Sequence, residues 1–141
     1  MTTTTAWPGS AALARPRARA AAWAIDLVVV HCTELPDMQL AREFGEKVRY
    51  EKGTGNSGHY YVDRDGSVQL FVHPGRIAHH CRSYNERSIG IELVNTGRYP
   101  DWFDSRRQDM REAYPQAQVD ALIGLLDSLR HSLTGLRWIA G

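Results

Sequence analysis

Only two cysteines, Cys32 and Cys81, occur in the 141 residues, too few for a disulfide framework. No apolar run approaches the roughly 18 residues needed to span a bilayer, so no transmembrane helix is expected. An excess of one charge is missing too. The formal net charge of +1 creates no global field for nucleic acid, and no basic stripe follows the chain. Internal repeats and low-complexity tracts are absent beyond the first residues. What remains is 43% hydrophobic and 23% charged, the make-up of one globular domain long enough to bury a core.

The segment Met1 to Ala24 differs from the rest. Thr2 to Thr5 are polar, and Arg15, Arg17 and Arg19 alternate with Pro16, Ala18 and Ala20. Basic residues before Ala20 to Ile25 give one element of a secretory signal, but Asp26 interrupts its apolar part and no small-residue cleavage site follows. A disordered or loosely helical tail over 1–24 is expected, with a misassigned start upstream as the alternative. Synthesis in the cytoplasm is the corresponding expectation for location.

From Ile25 the pattern becomes regular. Ile25-Asp26-Leu27-Val28-Val29-Val30-His31 reads as a strand buried on both faces. Pro36 to Val48 carries Leu40, Phe44 and Val48 at helical spacing, with Pro36 suited to the first turn. Gly53, Gly55 and Gly58 break regular structure. His59 to Val62 and Ser67 to Val72 flank Asp63-Arg64-Asp65-Gly66, a hairpin signal. Ser88 to Val94 reads as another buried strand. A polar excursion, Asn95 to Ala113, then carries Trp102 and Phe103, either packed on the domain or lining a groove. Pro115 opens a helix whose apolar stripe is Val119, Leu122, Ile123, Leu126, Leu129 and Leu133, and Gly135 ends it. Leu136 to Ala140 begins a last strand. Strands alternating with helices, plus one hairpin, predict an α/β fold with a mixed central sheet flanked by helices.

Three features carry chemistry. His31 ends an apolar strand, where open α/β sheets gather ligands and catalytic groups; taken alone it also reads as a hydrogen-bonded structural histidine. Glu92 lies inside Ile-Gly-Ile-Glu-Leu, where a carboxylate costs several kcal/mol unless paired, protonated or bound to a cation. Desolvation there raises its pKa toward the range of a general base, whereas the solvent face of an edge strand would leave it ordinary. Alternation sets Gly90 and Glu92 on one face, and Gly90 suggests open space beside the carboxyl, as in a cleft. His79 and His80 adjoin in a loop and diverge on an extended chain, so one of them at most faces a given site. His59 is a candidate structural partner to that site. His73 has no supporting context, and His131 lies near a helix C-terminus where the dipole favours it. Cys32 points to the face opposite His31 and reads as a small core residue, and a Cys32–Cys81 bridge is neither required nor excluded.

Four segments, V-V-V-H-C-T-E, S-G-H-Y-Y-V-D-R-D-G, A-H-H-C and N-E-R-S-I-G-I-E-L-V-N, follow one another as in the zinc-dependent N-acetylmuramoyl-L-alanine amidases of type 2. That family includes bacteriophage amidase lysozymes and the peptidoglycan recognition proteins. The resemblance covers Ile25 to Gly141 and implies an amidase domain over 25–141. It implies hydrolysis of the amide between the lactyl group of N-acetylmuramic acid and the L-alanine of the stem peptide, in peptidoglycan or soluble muropeptides. By position His31 resembles the first zinc ligand, and Glu92 the carboxylate that activates the metal-bound water. His80 matches a cleft histidine expected to touch substrate, and Asn95 is a second substrate candidate. A catalytic Tyr found in some relatives corresponds here to Gly58, which throws weight onto Glu92. The family's second and third zinc ligands come from a late segment, and Gly141 stands just before the second. The domain is therefore expected to be incomplete at its C-terminus, with impaired zinc binding and turnover. A non-catalytic peptidoglycan-binding module is the alternative, and a non-functional fragment a third reading. A monomer is expected.

Overall fold

The computed structural model describes residues 5–6, 24–47, 51 and 55–141. Among these the elements run β1 (Thr5–Ala6), β2 (Leu27–Cys32), α1 (Met38–Glu46), β3 (Tyr60–Val62), β4 (Val68–Leu70), β5 (Ser88–Leu93), α2 (Gln116–Ser132) and β6 (Trp138–Ala140). They build one six-stranded sheet in the order β1-β4-β3-β5-β2-β6. Only the β3–β4 hairpin is antiparallel; the other pairings are parallel. The expected α/β fold with a mixed sheet and helices on it is what forms. Of the expected tail, Thr5 and Ala6 pair with β4, and residues 7–23 lie outside the described residues. Among the described residues no helix is long and apolar enough to cross a membrane.

Strand alternation sorts the side chains onto two layers. Val28, Val62, Ile89 and Ile91 have no exposed surface and pack with Tyr60 and Leu93 under Ala121, Leu125 and Leu129 of α2. Burying each aliphatic side chain of this size stabilises by roughly 1.5–3 kcal/mol. The opposite face carries a second cluster, Leu35, Ala41, Tyr61, Phe71, Val72 and Ala78, flanked by Phe44, Tyr99 and Trp102. The candidate functional residues Glu92 and His31 lie on this second face.

Local boundaries follow backbone chemistry. α1 starts later than Pro36 because Asp37 is its N-cap, its carboxylate accepting from Leu40 N at 2.8 Å; Val48 lies outside the described residues. The hairpin turn closes as expected, Asp63 N donating to Ser67 O at 2.8 Å and Gly66 N to Asp63 O at 3.0 Å. β4 stops at Leu70 because the N–H groups of Phe71 and Val72 both turn to the His59 carbonyl.

The buried stripe of α2 departs from the expectation. Its buried positions are Gln118, Ala121, Leu125 and Leu129, with Leu122, Leu126 and Leu133 flanking them, and Ile123 is exposed. The helix is turned so that Gln118, with no exposed surface, reaches the sheet. Its Nε2 donates to Val62 O at 3.0 Å and Val94 O at 2.9 Å, tying together the ends of β3 and β5. An apolar count misses this polar position. Gln118→Ala leaves a buried strand-end carbonyl without its donor and is expected to cost about 1–3 kcal/mol in urea unfolding; an unchanged midpoint would show that the helix does not depend on this clamp.

Candidate functional site

The register of the parallel strands builds the site. His31 on β2 pairs with Glu92 on β5, and Glu92 pairs with Tyr61 on β3. Partners on adjacent strands point to the same side, so Tyr61, Glu92 and His31 form one row at the carboxyl ends of β2 and β5. Beyond them Thr33 N donates to Leu93 O and Leu35 N to Asn95 O, which carries the chain of β2 over the sheet edge as the wall of a cleft.

That cleft has a volume of about 290 Å3, and Glu92 and Tyr61 lie on its floor. Ala41 and Phe44 of α1, Leu35, Trp102 and Phe103 line its walls. The indole of Trp102 is set by a hydrogen bond from Nε1 to Glu34 O at 3.2 Å and by edge contacts with Phe44 and Tyr99. Phe103 stands on the lip, 97% exposed. The excursion after β5 therefore both packs on the domain and lines a groove.

Glu92 is half-buried, the one position of β5 that is not closed off. Among the described residues no donor is hydrogen-bonded to its carboxyl oxygens, and burial alone pushes its pKa up to about 8. Gly58 gives the side chain its room, since a Cβ there would stand 2.8 Å from Glu92 Cγ. Tyr61 adjoins the carboxyl; its ring stacks on Phe71 with centroids 3.8 Å apart, and its hydroxyl accepts from Gly58 N at 3.3 Å. Burial first, and then the nearby Glu92 charge, raise the phenol's pKa.

His31 is half-buried, and desolvation lowers its pKa. Its neighbour is His80, His31 Nε2 lying 2.9 Å from His80 Nδ1. The His80 ring rests on Gly90, where a Cβ would stand 2.5 Å from His80 Cγ. The space expected beside Gly90 is thus filled by an imidazole and is not open to substrate. His59 is a structural partner of the site: it has no exposed surface, its Nδ1 accepts from Gly90 N at 3.0 Å, and Nε2 lies 3.0 Å from Arg76 O.

Asn95 does not face the cleft. It is 1% exposed; its Nδ2 donates to Glu112 O at 3.1 Å and its Oδ1 accepts from Gly97 N at 2.9 Å. Its amide holds the following loop together, away from the cleft where a substrate contact was expected. Cys32 and Cys81 are free thiols. Cys32 Sγ lies 3.7 Å from Asn95 O, and burial raises its pKa. His73 Nδ1 accepts from Gly75 N, and His131 Nδ1 lies 2.7 Å from Asp127 O at the end of α2. Reading the residues one at a time missed Tyr61 and Ser88. The signals were register for Tyr61, which pairs with Glu92, and alternation along β5 for Ser88, which shares the Glu92 face.

The carboxyl ends of two parallel strands, with a carboxyl and an imidazole in one row beside an aromatic-lined cleft, place the chain in the α/β class. Residues 21–140 match the N-acetylmuramoyl-L-alanine amidase family, and the chain belongs to that family, whose class is peptidoglycan amidase. No curated protein matches the chain in sequence. Among solved structures, the N-acetylmuramoyl-L-alanine amidase LysC from Clostridium intestinale is similar at 17% identity and TM-score 0.64, over 98% of this chain and 83% of that one. Drosophila peptidoglycan recognition protein SA is similar at 20% identity and TM-score 0.63, over 100% and 81%. The amidase AmiD from E. coli, in complex with anhydro-N-acetylmuramic acid-L-Ala-D-γ-Glu-L-Lys, is similar at 25% identity and TM-score 0.62, over 85% of this chain and 48% of that chain.

The Glu92 carboxyl makes stability depend on pH with a definite sign. Its folded pKa of about 8 lies above the ordinary 4.5. Between those values the unfolded chain releases a proton that the folded chain keeps, so this group's contribution is complete below about pH 4.5 and is lost as pH rises to about 8. Glu92→Gln cannot ionise and is expected to show a higher Tm than the parent at pH 8 to 9, the gap closing at pH 4. Equal melting curves at pH 9 would mean that the carboxyl is solvated like a surface glutamate.

Proposed function

We propose that the protein hydrolyses the amide between the lactyl carbonyl of N-acetylmuramic acid and L-alanine, with Glu92 as the general base. The observation that carries this is a carboxyl on the cleft floor whose pKa is pushed up to about 8 by burial. The ionised fraction of such a carboxyl, a minority near neutral pH that grows toward pH 8, is a stronger base toward water than an ordinary glutamate. Water's oxygen then bonds to the lactyl carbon, and the proton held by Glu92 passes to the departing alanine nitrogen as the C–N bond breaks. The products are a free lactyl carboxyl and a peptide amine. Trp102 and Phe103 supply apolar surface for the sugar or stem peptide, and Phe103 alone leaves about 2 kcal/mol of apolar transfer energy to be recovered by a covering ligand.

The family resemblance implies zinc, with His31 as a ligand. A catalytic zinc takes three protein ligands and a water. Among the described residues no group of three His, Cys, Asp or Glu side chains converges. His80 adjoins His31, but its two ring nitrogens are already in hydrogen-bond range of His31 and Ser88. This donor set does not fit a zinc site. Titration of the 141-residue chain with zinc is expected to give binding weaker than micromolar; a stoichiometric submicromolar site would overturn that reading of the donors.

The shortfall in donors also favours a second reading, in which the cleft binds muropeptide without turnover. Release of alanine amino groups from muropeptides, measured beside sedimentation with insoluble peptidoglycan, separates the two. For hydrolysis, Glu92→Gln is expected to lower the rate by about 100-fold or more while sedimentation persists. Sedimentation without amine release from the parent chain selects the binding module, and a rate unchanged in Glu92→Gln removes Glu92 as the base.

A further inference from the structure

Ser88, Gly90 and Glu92 share one face of β5, beside His31 on β2. His80 lies across that face. Its Nδ1 is 2.9 Å from His31 Nε2, the two rings meeting edge to face with centroids 5.1 Å apart. Its other nitrogen, Nε2, is 3.1 Å from Ser88 Oγ, and the Ser88 hydroxyl donates to the Tyr84 carbonyl at 2.7 Å.

Proton positions along this row follow from its last member. A carbonyl oxygen only accepts, and a serine hydroxyl has one proton to give. Ser88 gives that proton to Tyr84, so its oxygen accepts from His80 Nε2–H. A neutral imidazole protonated at Nε2 carries a lone pair at Nδ1. His80 Nδ1 therefore accepts, and His31 Nε2 donates to it. The ring of His80 is held for this by Gly90 beneath it and by His59, whose ring centroid lies 5.8 Å away.

We infer that Ser88 and His80 form a tautomer lock on His31, leaving Nδ1 as its one electron-pair donor toward any electrophile or proton donor that enters the site. A ligating or accepting imidazole has its free nitrogen chosen by the hydrogen bond at the other one. His80 is then a positioning residue, in place of the substrate contact expected from the sequence. Ser88, three places before Ile91 in the strand, acts on His31 through it. The lock is a property of the chain's own hydrogen bonds and stands or falls separately from amide hydrolysis.

The test is side-chain 15N NMR of the uniformly labelled chain at pH 8, where imidazoles are neutral. Both rings are expected to show a protonated Nε2 and a bare Nδ1, with a 15N–15N coupling across the bond from His31 Nε2 to His80 Nδ1. Ser88→Ala is expected to lose that coupling and to relax both rings toward the tautomer mixture of free imidazole, and Ser88→Thr to restore the parent spectrum. A proton on Nδ1 of either ring in the parent, or no coupling between the rings, overturns the lock even if Ser88→Ala fails to fold. A coupling unchanged in folded Ser88→Ala overturns the role of Ser88.

Discussion

The parallel pairing of β2 with β5 is the constraint on which the rest of the molecule depends. It aligns six consecutive residue pairs, from Leu27 with Ser88 to Cys32 with Leu93. Because alternation is strict, one set of partners, Val28 with Ile89 and Val30 with Ile91, faces the α2 layer. The other set, Val29 with Gly90 and His31 with Glu92, lies on the opposite face, where Glu92 lines the cleft and His80 covers Gly90. A slip of one residue would drive Glu92 into the apolar core and expose Ile91. The apolar layer thus fixes the polar one: burial of Val28, Ile89 and Ile91 determines where the carboxyl and the imidazole stand.

Space on the cleft face is controlled by two missing side chains. Gly58 and Gly90 are both approached within 3 Å of where a Cβ would be, the first by Glu92 and the second by His80. Any larger residue at 58 would push the carboxyl off the floor, and at 90 it would expel the His80 ring. The site is therefore shaped from beneath by glycine, while its walls come from α1 and the long loop after β5. Desolvation of Glu92 is the electrostatic consequence of this packing, since apolar and aromatic groups surround a carboxyl that no cation in the described residues neutralises.

Much of this was legible in the sequence because it obeys local rules. The strands at 25–31 and 88–94, the Asp-Gly hairpin and the helix opened by Pro115 all appear, with ends displaced by one or two residues. Glu92 and His31 stood out as polar residues in apolar runs, and the register brings them together. What was not legible depends on contacts that periodicity does not encode. Gln118 reads as a polar surface residue until two strand-end carbonyls are set in front of it. Gly90 reads as open space until the preceding loop lays His80 over it. Asn95 follows the active strand closely, yet its amide is absorbed by Gly97 and Glu112. For Gln118 and Gly90 the deciding contact comes from another element, and for Asn95 from within its own loop; periodicity expresses neither.

The loop over 94–115 shows how a cleft wall without helix or strand is kept in place. Arg98 is paired with Glu34 at the end of β2, and Glu34 also accepts from Arg98 N at 3.2 Å. Near the far end, Glu112 pairs with Arg64 of the hairpin and accepts from Thr96 N at 2.6 Å, an arrangement in which Arg64 holds the carboxyl well below its ordinary range, at about 2. Partly exposed ion pairs such as these contribute little singly. Here each carboxylate also takes a backbone N–H, a charge-assisted bond that fixes the main chain as well as the side chain. Because one anchor joins the loop to β2 and the other joins it to the hairpin, the loop cannot swing without breaking both. Trp102 and Phe103 lie between the two anchors, so the aromatic wall is held at a set distance from the strand row that carries Glu92.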